Sequence, residues 1–204
     1  MASGQVGSRN TRERVLAAAG RLFRLQGYAG TGLKQIVSES GAPYGSIYHF
    51  FPNGKEQLAH EVIRTSGPEY GRLVLMLLNS RADPLAALEF AFRQAAEDLA
   101  GTDYADACPI ATIALEVANT SETLRVATAE VFADWVDGAT AWFGRFVPGD
   151  EQAKMLAFAM ISMLEGAFVL SRAARSTDPL LAAGKAIVDL TGNVMRQSNV
   201  SGRP

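Results

Sequence analysis

The chain has 204 residues, with 19 Lys+Arg against 21 Asp+Glu for a formal charge of −2, and 48% of its residues are apolar. That composition excludes intrinsic disorder, and the length is enough for one core or two small ones. A single cysteine, Cys108, excludes an internal disulfide framework and suits a reducing cytoplasm, and two histidines leave almost no donors for a zinc site.

The net charge hides an asymmetry. Residues 1–55 carry Arg9, Arg12, Arg14, Arg21, Arg24, Lys34 and Lys55 against Glu13 and Glu39, a net +5, which leaves −7 for the remainder. A basic head on an acidic body suggests a polyanion at one end, although a chance fluctuation on a solvated surface gives the same sum.

In chain order, residues 1–8 read as a flexible arm without the apolar segment of a signal peptide. Asn10 or Thr11 is placed to cap a first helix that runs to about Gln26, with Val15, Ala18, Ala19, Leu22 and Phe23 at core spacing and Gly27 as its stop. Thr31 is the expected cap of a short helix over Gly32–Ser40, which Gly41 ends. Pro43 opens another over Tyr44 to about Phe50. After the turn Pro52-Asn53-Gly54, a helix starts near Lys55, is broken or kinked at Gly67-Pro68, and resumes from Glu69 to about Asn79. Helices are expected from about Leu85 to Leu99 and from about Pro109 to Ala118. Another is expected from a capping box at Asn119-x-x-Glu122 to about Phe146. The last two are expected over Asp150 to about Arg175 and from Asp178-Pro179 to about Gln197. The sequence thus predicts an all-α protein of about nine helices with no convincing strand. The apolar stretch Met155–Leu170 contains Ser162 and Glu165 and falls short of the roughly 20 residues that a bilayer span needs, so no membrane span is expected.

The segment Thr31–Leu58 carries the functional signal. Two short helices joined by a glycine turn have helix-turn-helix geometry, with Gly41 at the position needing φ > 0 and Ile36, Val37, Ile47, Phe50 and Phe51 facing inward. The second helix then exposes Tyr44, Gly45, Ser46, Tyr48 and His49, a face that suits the major groove. Spacing alone favours a plain helical hairpin in a bundle, where Tyr48 and His49 simply cap a core.

The run Gly41-x-x-x-Gly45-Ser46-Ile47-Tyr48-His49-Phe50-Phe51 followed by Lys55-Glu56-Gln57-Leu58, together with Gly27-Tyr28, Thr31 and Ile36, resembles the TetR/AcrR family of bacterial regulators. A linker one residue longer than usual before Lys55, and Cys108-Pro109-Ile110-Ala111, resemble its LmrA/YxaF-like subgroup. Gly32 stands where many members carry serine. The resemblance implies a helix-turn-helix domain over 9–55 and an effector-binding and dimerisation domain over 56–204. It implies a ligand-responsive regulator, most often a repressor, that binds a palindromic double-stranded operator as a homodimer in the cytoplasm. It implies no cofactor, no metal, no membrane partner and no enzymatic activity.

The resemblance and chemistry together assign DNA contacts to Arg9, Thr31, Lys34, Tyr44, Gly45, Ser46, Tyr48, His49 and Lys55. Lys55 is expected at a helix N-terminus, where backbone N–H groups already favour phosphate. A small apolar or aromatic effector is expected near Phe90, Cys108, Glu116, Phe132, Trp135 and Met163, although aromatic residues at helical spacing are more often plain core, and Glu116 and Glu165, each a candidate cavity acid in apolar sequence, are at least as readily inter-subunit or capping partners. Phe158, Ile161, Glu165, Phe168 and Arg172, with Ile187 and Val194 of the last helix, are the expected dimer surface; a monomeric core helix is the other reading. An α-helical enzyme or small-molecule carrier is the competing class. An enzyme needs a positioned nucleophile, base or metal, and His60 has only Glu56 at helical spacing.

Overall fold

The first helix, α1, is longer than its expected cap allows. In the computed structural model, which describes residues 3–106 and 108–201 and side chains over 10–106 and 108–197, α1 runs Ser3–Gln26. It starts upstream of Asn10 and Thr11 and takes in most of the segment expected as an arm; Met1 and Ala2 lie outside the described residues. Gly4 and Gly7 each weaken that helix by about 1 kcal/mol relative to alanine, but no proline interrupts it. Val15, Ala18, Ala19, Leu22 and Phe23 are all buried, as their spacing predicts. Gly27, at φ 82°, closes the helix by donating its N–H to the Phe23 carbonyl at 3.0 Å.

Two short helices follow, α2 over Leu33–Ser40 and α3 over Gly45–Phe50. The residue that caps α2 is Gly32, not Thr31. Thr31 is turned inward, and its hydroxyl donates to the Gly27 carbonyl at 2.7 Å. Gly41 ends α2 in the left-handed conformation, as predicted.

The next helix, α4, is continuous over Gly54–Leu78 and contains Pro68, so no break occurs at Gly67-Pro68. A proline inside a helix forfeits one backbone bond, at a cost of about 3 kcal/mol. A Cβ on Gly67 would lie 2.6 Å from Val131 Cγ1, and one on Gly71 would lie 2.7 Å from Trp135 Cδ1. Two glycines one turn apart on α4 therefore receive two side chains one turn apart on α7.

Helix α5 spans Pro84–Gly101, and its N-cap Asp83 accepts the Ala86 N–H at 2.9 Å, a bond worth about 1 kcal/mol. The short α6 is Ala111–Val117, and α7 runs Glu122–Phe143. The cap of α7 is Ser121, whose Oγ accepts the Leu124 N–H at 3.2 Å, rather than the box expected from Asn119. Helices α8 (Asp150–Ala174) and α9 (Asp178–Ser201) complete the chain. Among the described residues there are nine helices and no strand, the all-α class that the sequence predicts.

By compactness the chain divides into two units, Met1–Pro68 with Cys108–Val131 and Glu69–Ala107 with Phe132–Pro204. The division falls inside α4 and α7 and leaves the expected head, 9–55, whole in the first unit. That unit packs α1 against α2, α3 and α6 and buries Phe23, Ile36, Ile47, Phe51, Leu58, Ile63, Ile113 and Leu124. The second unit packs α9 against both α5 and α8, around a core that includes Leu88, Phe92, Phe143, Leu156, Met160, Phe168 and Ile187. One described helix, α8, is long and apolar enough to cross a membrane, longer than the 155–170 stretch suggests. Its inner face is core, however, with Ala153, Leu156, Ala157, Met160, Leu164, Ala167 and Phe168 buried.

Candidate nucleic-acid interface

Helix α3 is anchored by one residue and open on the rest. Ile47 is fully buried, while Tyr44 and Tyr48 are about half exposed and Gly45 and His49 are exposed. The spacing of four places the two tyrosine rings together, with centroids 6.3 Å apart and an edge-to-face arrangement. His49 is exposed, and its ring meets that of Phe50 in an edge-to-face pair with centroids 4.8 Å apart. A Cβ on Gly45 would meet nothing within 4 Å, so this position offers open space to an approaching backbone or base edge. Ser46 is half-buried. The turn before the helix is fixed locally: Ser40 Oγ donates to the Val37 carbonyl and accepts the Ala42 N–H.

Charge in the head is partly spent on its own fold. Arg12 pairs with Glu61 and sits 5.3 Å from the Phe51 ring centroid, and Arg21 pairs with Glu39. Lys34 is exposed on α2. Lys55 is in the first turn of α4 with its Nζ 4.3 Å from the centre of the Tyr28 ring, a cation–π contact that aims a long flexible side chain. Burial lowers the Lys55 pKa below the usual lysine value, and the nearby Glu116 charge opposes that shift. Tyr28 is pushed the other way, upward, first by burial and then by Glu56.

Of the nine expected DNA contacts, Gly45, Ser46, Tyr48 and His49 share α3, Tyr44 is its N-cap residue, and Lys34 and Lys55 belong to the same compact unit. Thr31 does not present its hydroxyl outward. It is buried, donates to Gly27 and accepts from Gln26 Nε2 at 3.2 Å, so it supports the α1–α2 turn instead of reaching phosphate. The Arg9 side chain lies outside the described ones.

The expected effector residues fall into both units. Phe132 and Trp135 meet edge-to-face at 5.4 Å, and Tyr70 joins them 5.4 Å from Trp135. This aromatic cluster exists because Gly71 lets Trp135 lie on the α4 backbone. Phe90 lies under the Arg81 guanidinium at 4.1 Å, and Met163 packs against the core of the second unit. Cys108 is buried in the first unit, where its Sγ accepts the Ala111 N–H at 3.4 Å at the start of α6. Glu116 takes the structural role that is the other reading of this acid. Its Oε2 accepts the Ala29 N–H at 2.5 Å, across 87 positions of sequence. That spacing left no signal by which the sequence reading could have found the pair.

The expected dimer stripe is also out of phase. Phe168 and Ile187 are inside the protomer's own core, and Val194 and Ile161 pack against it. Arg172 Nε donates to the Tyr104 carbonyl at 3.3 Å. Glu165 is half-buried, and only Phe158, 53% exposed, faces fully outward. The outward apolar face of α8 consists of Met155, Phe158, Val169 and Leu170, with Leu181 exposed on α9.

Comparison with known proteins places this geometry. The family model of bacterial regulatory proteins, tetR family, matches residues 15–62, and that of the transcriptional regulator LmrA/YxaF-like C-terminal domain matches residues 84–186. The HTH-type transcriptional regulator YxaF of Bacillus subtilis (strain 168) is 39% identical over 176 residues, which is 84% of this chain and 90% of that protein. The HTH-type transcriptional regulator LmrA of the same organism is 34% identical over 181 residues, covering 89% and 96% of the two chains. The crystal structure of a TetR-family transcriptional regulator from Cytophaga hutchinsonii superposes with a TM-score of 0.80 over 92% of this chain and 96% of that one, at 21% identity. At that identity the superposition shows the fold alone.

Proposed function

This chain belongs to the TetR family of bacterial regulatory proteins, in its LmrA/YxaF-like group, and we propose that it represses transcription from a palindromic operator and is released by a small apolar or aromatic effector. Its family is one of transcriptional regulators rather than enzymes, and the reading assigns this chain no catalytic step, no cofactor and a cytoplasmic location.

The observation that carries the reading is the outer face of α3. Tyr44, Tyr48 and His49 present two hydroxyls and a ring nitrogen on a helix held by a buried Ile47, inside the segment that matches the tetR-family model. Tips of that kind exchange hydrogen bonds with base edges, while Lys34 and Lys55 supply phosphate contacts that set affinity and register. Residues 9–55 form the DNA-contacting head, and residues 56–204 carry effector binding and dimerisation.

A palindrome requires two heads with recognition helices about 34–36 Å apart or a multiple of that. The exposed hydrocarbon of Met155, Phe158, Val169 and Leu170 suits a second copy of this chain, because an isologous dimer buries the same patch twice. The Phe132–Trp135–Tyr70 cluster suits an aromatic effector, which lowers operator affinity only by binding the DNA-incompetent form more tightly.

The test is operator selection. The full chain is mixed with random duplexes, the enriched sequence is identified, and its affinity is followed across salt. A palindromic consensus whose affinity falls steeply with salt supports the reading. Failure to enrich any sequence, or an affinity insensitive to salt, overturns it.

A further inference from the structure

We propose that Glu116 of α6 is a positioning residue for DNA binding: its carboxylate pins the turn between α1 and α2, and through Tyr28 in that turn it sets where Lys55 stands. The proposal rests on the reading of Lys55 as a phosphate contact.

The turn over 27–32 contains Gly27, Gly30 and Gly32, so its backbone has little intrinsic preference. Most of its bonds are local, such as Thr31 Oγ1 to the Gly27 carbonyl and Gln26 Nε2 to the Gly30 carbonyl. The carboxylate of Glu116 reaches it from a different helix. Oε2 accepts the Ala29 N–H, and Oε1 lies so close to Gly27 that a Cβ there would be 1.9 Å away. Gly27 therefore meets two separate demands, the positive φ that ends α1 and the space that admits the acid. Between Gly27, which the carboxylate crowds, and Ala29, which it bonds, stands Tyr28. Its ring lies 5.7 Å from Phe23 on one side and 4.3 Å from Lys55 Nζ on the other. Glu116 also bears on Lys55 directly, because its charge favours the ammonium form against the cost of burial. Acid, turn, ring and lysine form one connected set within a single compact unit.

The test uses the full chain and the operator enriched by the wild type. Glu116→Met keeps length and helix propensity but removes the acceptor, and it is expected to weaken operator binding about tenfold. The slope of log affinity against log salt should fall by about two, as for loss of one phosphate contact in each half-site of the dimer. Glu116→Gln keeps an acceptor oxygen and should stay within about threefold of wild type. Glu116→Asp keeps the charge but shortens the reach, and should weaken binding as Met does; it decides the matter if the Met variant does not fold. In a Lys55→Ala background, Glu116→Met should cost nothing further. The proposal is overturned if the Met and Asp variants bind like wild type with an unchanged slope, if Gln is as weak as Met, or if the Glu116 and Lys55 losses add. If the wild type enriches no operator, or Lys55→Ala itself leaves affinity and slope unchanged, the failure belongs to the underlying DNA-binding reading.

Discussion

Helices α3 and α8 both expose large side chains, yet they suit different partners. On α3 the exposed rings end in polar atoms, Tyr44 and Tyr48 in hydroxyls and His49 in ring nitrogens. On α8 the exposed groups of Met155, Phe158, Val169 and Leu170 end in hydrocarbon or thioether. A polar-tipped ring loses little by standing in water and gains specificity by meeting a hydrogen-bonding edge. A hydrocarbon face of that extent gains only by leaving water, at about 25 cal/mol per Å². Exposure alone therefore does not identify a partner; the chemistry at the tip of the side chain does.

The largest expected effect tests the α8 half of that contrast. Phe158→Glu places a charge in the middle of the outward face without touching the core, so the protomer should remain helical by circular dichroism. Sedimentation at micromolar concentration should show monomer, and operator affinity should fall by about 100-fold or more as the two half-sites cease to be held by one particle. A dimer of undiminished affinity would place the subunit contact elsewhere.

A control is needed that disturbs neither surface. Gly67→Ala puts a methyl group where Val131 Cγ1 leaves 2.6 Å, and overpacking of this kind costs about 1–3 kcal/mol. Thermal unfolding should shift down by several degrees. Operator affinity well below the unfolding range should change little, which separates loss of fold from loss of contact. An unchanged melting temperature would mean that α4 and α7 part easily at this glycine.

The same contrast explains what could be read from the sequence. The head was legible because its signals are local and redundant. Gly41 alone takes a left-handed turn between two short helices, and a single apolar residue of α3, Ile47, marks the buried side. Helix α8 was legible as a helix but not in its phase. Ala153, Ala157 and Ala167 line its inner face while Phe158 and Leu170 line its outer one, so hydrophobicity has no direction along it. The stripe drawn through positions 158, 161, 165, 168 and 172 consequently crossed from one face to the other. The caps of α2 and α7 fall on Gly32 and Ser121 instead of the expected Thr31 and Asn119, because a side chain serves as a cap only where no other bond already holds it. Thr31 is taken by Gly27. The role of Glu116 depends on a fold that joins positions 87 apart, and no local pattern encodes that.

On the α3 side the expected effects are smaller, since each contact is one among several. Lys55→Ala should weaken operator binding about tenfold and lower the salt slope by about two, one contact per half-site, uniformly across related sequences, because a lysine on phosphate reads no base. Replacing Tyr44 by Phe should instead change which operator variants are preferred while leaving the slope intact. A Lys55 variant that alters sequence preference, or a Tyr44 variant that alters only the slope, would exchange the two roles.

The smallest effect is a pH dependence. Burial lowers the Lys55 pKa in the free protein, so on alkaline titration this ammonium begins to lose its proton before an ordinary lysine does. A phosphate contact favours the charged form and raises that pKa again. Between the two values the complex holds more protons than the free protein, binding takes up a proton, and operator affinity falls as pH rises. Tyr28 does not offset this, because its own pKa is shifted upward and it stays neutral in the same range. Lys55→Arg keeps the charge throughout that range, and it shares every other titrating group with the wild type. The ratio of wild-type to Arg-variant affinity, measured by fluorescence anisotropy from neutral pH upward, should therefore decline toward the alkaline end, whereas a flat ratio would show that Lys55 keeps its proton with or without DNA and that its contact with Tyr28, not a phosphate, is what the ammonium serves.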